Sequence, residues 1–211
     1  MREHSGEGFS RADVQARDCS ERLSWGCRFI IWRRRRTVIS AWYMRFVPGH
    51  NGALDRVGGL PTHLPPVSPT AIEGHPLRFL AQLYCDGTRL NLPGTLCLHL
   101  YQDHPDGDPF PVPVLVPLDA KPNVAGLGIS DSRVIPHDIE WEYREVPDES
   151  DSDQVELAAS KIGGACYFSH ALDAGERLLL FLDEDPADFN FGGDECMLAF
   201  TATGGIRLAS A

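Results

Sequence analysis

The run from Leu92 to Tyr101, Leu-Pro-Gly-Thr-Leu-Cys-Leu-His-Leu-Tyr, carries the strongest fold signal in this chain. After the Pro-Gly turn signal, Leu96, Leu98 and Leu100 occupy alternate positions. A period of two is typical of a β-strand with one better-buried face. The run therefore predicts a strand in a sheet that buries this face.

Working outward from this strand, the elements that precede it recur about one hundred residues later in the same order. The first copy consists of Gly58–Pro61, Pro76–Leu83 and Leu92–Tyr101. The second copy consists of Ile162–Ala165, Glu176–Leu182 and Phe191–Phe200. Each copy reads as a Gly-Gly turn, a strand, a glycine-bearing loop and a second strand. The recurrence predicts an internal duplication, and the adjacent glycines predict either positive φ or a close approach of the backbone, where a Cβ would clash.

The predicted fold class is α+β and β-rich, an internally duplicated antiparallel-sheet domain with few short helices. Residues 44–211 form the domain, with repeat one at about 45–147 and repeat two at about 154–211. Asp153–Lys161 is a candidate short helix, and Asp185–Phe189 a candidate turn. Phe110–Leu118 alternates Pro with Val, which favours an edge strand because Pro cannot donate to a ladder. Leu178–Leu182 is continuously apolar, as in a strand covered on both faces.

The first 43 residues differ from the rest in charge. They hold nine Arg and five acidic residues, about +4, whereas residues 44–211 hold ten basic and 25 acidic residues, about −15; together these give the net charge of −11. Arg33–Arg36 forms a basic run. We interpret residues 1–43 as a disordered arm or the product of an upstream start codon, with Met44 opening the domain. A functional basic patch is the competing interpretation.

Charge and cysteine content limit the partners and the compartment. The acidic body repels phosphate backbones, so nucleic acid is not expected to bind residues 44–211. The acids are either a solvated surface or a face for a basic protein partner. No apolar run is long enough to span a bilayer, so no membrane contact is expected. Six Cys without a CxxC pair, and no signal peptide, predict reduced thiols in the cytoplasm.

Searches for catalytic chemistry find little. The chain has no GxSxG elbow, P-loop or GxGxxG motif, and no cofactor is predicted. Cys166 and His170 would face each other only on a helix, which the preceding glycines disfavour. The acidic stretch Asp148–Asp153 lacks the calcium-loop pattern, so no metal site is predicted. The alternative that stays open is an enzyme with a His-rich pocket around His50, His63 and His75.

The ordered set Gly58–Pro61, Pro76–Leu83, Leu92–Gly94 and Lys161–Gly164 resembles the YwqG-like family (DUF1963), as does Gly192-Gly193-Asp194 before an apolar strand. The resemblance covers about residues 45–203. It implies a duplicated, strand-rich fold without established catalytic residues. It also implies a distant similarity to programmed-cell-death-2-like proteins, which bind a ribosomal protein. Some family members lie beside toxin genes, which implies immunity roles. The chain departs from the family at Ala165-Cys166 and at Phe181, which stands where a second Gln would parallel Gln82.

The resulting prediction is a non-catalytic protein-binding domain, with an immunity or chaperone-like role. An enzyme is the weaker prediction, and a purely structural domain is a third alternative. Gln82, a polar amide in an apolar strand, either braces the glycine turn or reads a peptide backbone. The candidate binding residues are Gly58, Gly59, Pro61, His63, Gln82, Gly163, Gly164 and Asp194.

Overall fold

A computed structural model of the chain describes residues 38–49, 53–71, 74–103, 111–130, 132–147, 159–165, 172–184, 189, 191, 196–201 and 203–209. All of them belong to one compact unit, residues 36–211. Within these ranges the backbone forms ten β-strands and no helix. The prediction of an α+β fold with short helices is therefore wrong, and the described fold is all-β.

The ten strands form one antiparallel sheet. They are β1 Val38–Pro48, β2 Arg56–Val57, β3 Arg78–Tyr84, β4 Thr95–Gln102, β5 Val112–Pro117, β6 His137–Pro147, β7 Lys161–Gly163, β8 Arg177–Leu182, β9 Cys196–Phe200 and β10 Ile206–Ala209. Their order across the sheet is β10-β9-β8-β7-β1-β6-β2-β3-β4-β5. The two edge strands, β5 and β10, come into contact, so the sheet is barrel-like and nearly closed.

Strands β1–β5 and β6–β10 form two interlocked halves. When β1–β5 are matched in order with β6–β10, the strand order is the same from either edge of the sheet. β1 pairs with β6 at the centre, and the short second strand of each half pairs with the long first strand of the other. A bulge interrupts β3 between Phe79 and Ala81, and another interrupts β8 between Leu178 and Leu180. The halves are thus held together by continuous backbone pairing as well as by side-chain packing.

The hydrophobic core lies inside the curved sheet and receives residues from both halves, including Leu98 and Leu100 from β4 and Leu180 and Leu198 from β8 and β9. Each half also has a smaller cluster on its other face. In the first half this cluster contains Leu77, Phe79 and Tyr101, and in the second half Leu178, Phe181, Met197, Ala199 and Ala209. These smaller clusters cover the outer face of the sheet, so strands such as β4 and β8 are buried on both faces.

Three strand predictions can be compared with this sheet. β5 lies at the edge, as the alternating prolines predicted, and Leu178–Leu182 is buried on both faces of β8. The single better-buried face predicted for β4 is wrong, since His99 is as fully buried as Leu98 and Leu100. The loop that follows Gly58 covers the face of β4 that carries His99. Burial by a separate loop leaves no periodic pattern in the sequence of the strand.

Two predicted boundaries fall within strands of the structure. β1 begins at Val38 and runs across the predicted domain start at Met44. The predicted helix Asp153–Lys161 ends on a residue that begins β7, because the backbone of Lys161 pairs with β1 and β8. Residues 153–158 of that segment, and residues 185–188 of the predicted turn, lie outside the described residues.

The predicted positive φ of the first glycine pair is confirmed, at 66° for Gly58 and 68° for Gly59. A Cβ on Gly58 would lie 3.1 Å from Pro136 Cα and 3.1 Å from the Val134 carbonyl oxygen, both of them backbone atoms. Gly94 also has positive φ, 75°, but a Cβ there would meet nothing within 4 Å. Gly94 is therefore a control for backbone strain without a close neighbour.

We expect Gly58→Ala to lower the free energy of unfolding more than Gly94→Ala does. The positive φ alone costs a non-glycine residue about 1–3 kcal/mol, and at Gly58 the backbone before β6 must also shift. Urea denaturation of both variants measures the difference. Equal losses at the two positions would show that the close approach to Pro136 carries no energetic weight.

Candidate binding site

The loop after Gly58-Gly59 is fastened to β3 through Gln82. The Gln82 side chain is fully buried, and its Nε2 donates to the Leu54 carbonyl oxygen at 2.7 Å. Its Oε1 accepts from the backbone N–H and the hydroxyl of Thr62, each at 2.9 Å. Gln82 therefore joins the segment before β2, the loop after it and β3. This geometry matches the bracing role that the sequence offered as one of two interpretations.

The same amide sets the protonation of His99 on the neighbouring strand. His99 Nε2 lies 3.0 Å from Gln82 Oε1, which can only accept, so Nε2 carries the ring proton. Nδ1 is then free to accept from the Tyr101 hydroxyl at 3.2 Å. Burial lowers the pKa of His99 to about 3, so the imidazole is neutral at physiological pH. Gln82, His99 and Tyr101, which we call the Gln82 cluster, are therefore joined by hydrogen bonds between neutral groups.

Cys97 lies beside this imidazole but is not activated by it. Its Sγ is 3.3 Å from His99 Nε2, the nitrogen that already holds a proton and cannot act as a base. Burial raises the pKa of the Cys97 thiol to about 12. Since the thiolate is the nucleophilic form, this Cys–His pair is inert. The Cys97–His99 pair therefore has a structural role in the first half of the sheet.

His63, a candidate residue, lies at the outer edge of the cluster. Its Nδ1 is 2.6 Å from the Tyr84 hydroxyl and 3.1 Å from the Thr62 hydroxyl. His75 lies elsewhere, paired through Nε2 with Asp103 Oδ1. His50 is outside the described residues, so the described chain does not assemble the predicted three-histidine pocket.

Asn123 joins the loop after the glycine pair to the loop between β5 and β6. Its Nδ2 donates to the Pro61 carbonyl oxygen at 2.9 Å and to the Leu127 carbonyl oxygen at 2.7 Å. Its Oδ1 accepts from the Leu127 N–H at 2.7 Å, and its own N–H donates to the Thr62 carbonyl oxygen at 2.7 Å. One side chain therefore fixes the separation of two loops that are about sixty residues apart in sequence.

These two loops enclose an open apolar groove. Its cavity has a volume of about 170 Å³, and its lining includes Pro61, Leu64, Pro69, Leu77, Tyr101 and Ile129. A second cavity of about 370 Å³ is lined by His75, Pro76, Arg78 and Ile129. The cavities share Pro76 and Ile129 and are therefore adjacent. We call the two cavities together the loop groove.

The rim of the loop groove exposes apolar side chains. Leu127, which lines the smaller cavity, is 55% exposed, and Ile129, which lines both cavities, is 44% exposed. Single exposed apolar residues are ordinary, but two that line one concavity are typical of a binding surface. Tyr101, at the floor, connects the groove to His99 and so to the Gln82 cluster.

Among the described residues of the second half, no side chains form an equivalent of the polar cluster. Where Gln82 pairs with His99 across β3 and β4, Phe181 pairs with Met197 across β8 and β9. Gly163 and Gly164 have φ of 70° and 81° and pack on β1, where a Cβ on Gly164 would lie 2.8 Å from Ala41 Cβ. Neither glycine lines the loop groove. The two halves share a backbone pattern but differ in side-chain chemistry.

Of the candidate residues, Pro61 lines the loop groove, Gly58 and Gly59 begin its loop, His63 is part of that loop, and Gln82 lies beneath it. Asp194, Cys166, His170 and Asp148–Asp153 lie outside the described residues. Among the described residues, no three His, Cys, Asp or Glu side chains are grouped so that they could hold a metal ion. The described part of the chain contains no helix long and apolar enough to cross a membrane.

Sequence reasoning missed Asn123, Tyr101 and Ile129. The signal that could have indicated the groove is the concentration of proline between Pro61 and Pro76, which includes Leu64-Pro65-Pro66. Proline-rich loops with interspersed Leu form rigid apolar walls because their backbone has little freedom.

No family model and no curated protein sequence matches this chain. The resemblance to YwqG-like domains stays a prediction.

Replacing Gln82 tests the bracing role. Gln82→Leu leaves the buried donors of Thr62 and His99 without their acceptor, so we expect a loss of about 3 kcal/mol in the free energy of unfolding. The double variant Gln82→Phe/His99→Met copies the second half and should recover part of that loss, because both polar partners are then absent. Chemical denaturation measures both. Unchanged stability together with lost partner binding would instead favour the peptide-reading interpretation.

Proposed function

We propose that this chain is a non-catalytic protein-binding domain that holds its partner in the loop groove. The groove itself is the observation that carries the proposal. Its apolar lining is open to solvent, its rim exposes Leu127 and Ile129, and its walls are held in place by Asn123. A preformed apolar surface of this kind favours binding because little ordering is required of the domain.

The chemistry beneath the groove supports binding over catalysis. A nucleophile or general base needs a pKa near the working pH, whereas the Cys97 thiol and the His99 imidazole are shifted away from it in opposite directions. His63 and His75 do not line a common described cavity. The groove therefore contributes shape and apolar surface, and the cluster below it contributes rigidity.

The kind of partner is also part of the proposal. The excess of acidic residues in 44–211 supports a basic protein, drawn to the domain by long-range attraction. Free thiols at Cys85, Cys97 and Cys196 support a reducing compartment, which we take to be the cytoplasm. The similarity to YwqG-like domains supports an immunity or chaperone-like role, in which a partner is sequestered or escorted.

Affinity capture with matched groove variants tests the proposal. Ile129→Ser removes an apolar side chain that lines both cavities, whereas Val124→Ser removes a β-branched apolar side chain that is 95% exposed and lines neither. We expect wild type and Val124→Ser to retain a stoichiometric protein that Ile129→Ser loses. A partner retained equally by all three would place binding elsewhere. No retained protein would leave the domain with a structural role.

A further inference from the structure

The two walls of the loop groove are fastened in different ways. One wall contains Pro61 and is held from beneath, because Gln82 Oε1 accepts from the N–H and the hydroxyl of Thr62, each at 2.9 Å. The other wall consists of residues 119–128, between β5 and β6, which we call the outer loop. Leu127 lines the smaller cavity from this side. The Pro61 wall therefore rests on a buried side chain of β3, whereas the outer loop lies across the groove from it.

The outer loop is anchored to the sheet at its two ends. Before it, the Leu118 N–H donates to the Gly94 carbonyl oxygen at 3.3 Å, next to β4. After it, the Ile129 carbonyl oxygen accepts from the Phe79 N–H of β3 at 2.7 Å. These two points hold the ends of the outer loop whether or not its middle moves.

The middle of the outer loop has little apolar packing. Of residues 119–128, Ala120 and Asn123 are half-buried and the other eight are exposed. Val124 is 95% exposed and Leu127 is 55% exposed. A segment that buries few apolar side chains opens at a lower free energy than the global unfolding of its domain. The outer loop can therefore open while the sheet stays folded.

Asn123 supplies a side-chain bond between the middle of the outer loop and the Pro61 wall. Its Nδ2 donates to the Pro61 carbonyl oxygen at 2.9 Å. Two backbone bonds lie beside it, from the Asn123 N–H to the Thr62 carbonyl oxygen at 2.7 Å and from the Leu64 N–H to the Lys121 carbonyl oxygen at 3.1 Å. The amide of Asn123 therefore stabilises a short backbone junction between the two walls.

From these contacts we propose that the outer loop is a movable wall of the loop groove and that the Asn123 side chain latches it to the Pro61 wall. Opening of the latch widens the smaller cavity, because Leu127 moves with the outer loop while the Pro61 wall remains on Gln82. Asn123 is a positioning residue, since it acts on the groove through Pro61 and Leu127. A partner that binds after the latch is lost has to order the outer loop, which lowers its affinity.

Amide hydrogen exchange of the free full-length chain, resolved by residue, tests the latch. Asn123→Asp keeps an acceptor for the Leu127 N–H but places an oxygen where Nδ2 donates to the carbonyl oxygens of Pro61 and Leu127. We expect the Leu64 N–H, whose acceptor lies on the outer loop, to exchange about tenfold faster than in wild type, or more. A tenfold change corresponds to about 1.4 kcal/mol, close to the net contribution of one hydrogen bond.

Two other amides report on the parts that should not move. The Thr62 N–H is bound by Gln82, and the Phe79 N–H marks the anchor at the end of the outer loop. Both should keep their wild-type exchange rates in Asn123→Asp. Asn91→Asp introduces the same negative charge at an exposed position that lines neither cavity, and it should leave all three rates unchanged.

Each alternative outcome contradicts the latch. Unchanged exchange at Leu64 in Asn123→Asp would mean that Asn123 does not hold the walls together, and an equal rise at Leu64, Thr62 and Phe79 would mean that the outer loop opens only with the sheet. If Asn123→Asp fails to fold, the wild-type protein decides. After correction for intrinsic rates its Leu64 N–H should be less protected than its Thr62 N–H, and equal protection would overturn the movable wall. These measurements are made without a partner, so failure of the latch and failure of the proposed function are distinguished by separate experiments.

Discussion

A chain that begins at Met44 should fail to form the native sheet. This truncation removes Val38–Tyr43, six of the eleven residues of β1. All three register pairs between β1 and β7 are lost with it, since β7 pairs with Ala41, Trp42 and Tyr43. β7 is joined to the rest of the sheet through β1, so the loss separates β7–β10 from β1 and β6. Ala41 and Tyr43 are also buried, and their removal exposes apolar surface of the second half.

The measurement compares residues 44–211 with residues 36–211, which contain every described strand. We expect residues 36–211 to unfold cooperatively on heating. The shorter chain should be insoluble or should lack a cooperative transition, because the pairing lost between β1 and β7 cannot be recovered elsewhere. Equal melting temperatures would show that β1 before Met44 contributes nothing to the fold.

The failure to find β1 in the sequence has a physical cause. The strand follows the basic run Arg33–Arg36, and the net charge of the chain changes from positive to negative at Met44, inside the strand. In any stretch of sequence that includes β1, this change in charge is more conspicuous than a strand pattern. Ala41 and Tyr43 are buried, while Trp42, Met44 and Phe46 pack partly against the core. Apolar side chains on both faces of this part of the strand therefore leave no alternation of apolar and polar residues.

Features that depend on a few neighbouring residues could be predicted from the sequence. The prolines at 113 and 117 exclude β5 from the interior of the sheet, and the positive φ of Gly58 is required by its turn. The continuous apolar run of β8 reports its burial directly. Each of these features is set within a few residues of the chain.

The loop groove shows where such reasoning ends. Pro61 was a candidate from the sequence, but its wall is fixed by Asn123 and its floor by Tyr101, which come from different loops and strands. Asn123 in isolation is one polar residue in a turn. Its four hydrogen bonds exist only after β5 and β6 have placed its loop against Pro61 and Thr62.

Asp55→Ala should be among the most destabilising single substitutions in the described chain. The Asp55 carboxylate accepts from the Tyr84 N–H at 2.5 Å, from Arg89 Nη2 at 2.6 Å and from Trp141 Nε1 at 2.7 Å. These donors come from β3, the loop after it and β6. The side chains of Asp55 and Arg89 are 9% and 12% exposed. Removing the carboxylate leaves a buried guanidinium without this partner, which costs about 3–5 kcal/mol.

An exposed ion pair provides the contrast. Glu142 accepts from Arg144 at 2.9 Å, but the two side chains are 60% and 40% exposed. Exposed pairs contribute little to stability, so Glu142→Gln should leave the denaturation midpoint almost unchanged. The comparison separates loss of a buried carboxylate from loss of a charge. A midpoint for Asp55→Ala close to that of Glu142→Gln would contradict the structural role of Asp55.

Asp55 should also give stability a pH dependence of definite sign. Burial raises the pKa of Asp55, and this outweighs the opposing effects of the Tyr84 N–H, Arg89 and Trp141. A carboxyl whose pKa is higher in the folded than in the unfolded state binds more protons when folded, so its contribution to the free energy of unfolding falls as pH rises through that interval. The interval starts near the ordinary Asp value of about 3.9 and extends upward.

Asp55→Asn removes this titration while keeping a similar shape. Its amide nitrogen would face donors of Arg89 and Trp141, so the variant is itself destabilised, but by an amount that does not titrate at this position. Other carboxyl groups titrate in both proteins and cancel in the difference. We therefore expect the stability advantage of wild type over Asp55→Asn to be greatest at low pH and to shrink above about pH 4. An advantage that grows with pH would mean that Arg89 and the two N–H donors, and not burial, control the ionisation of Asp55.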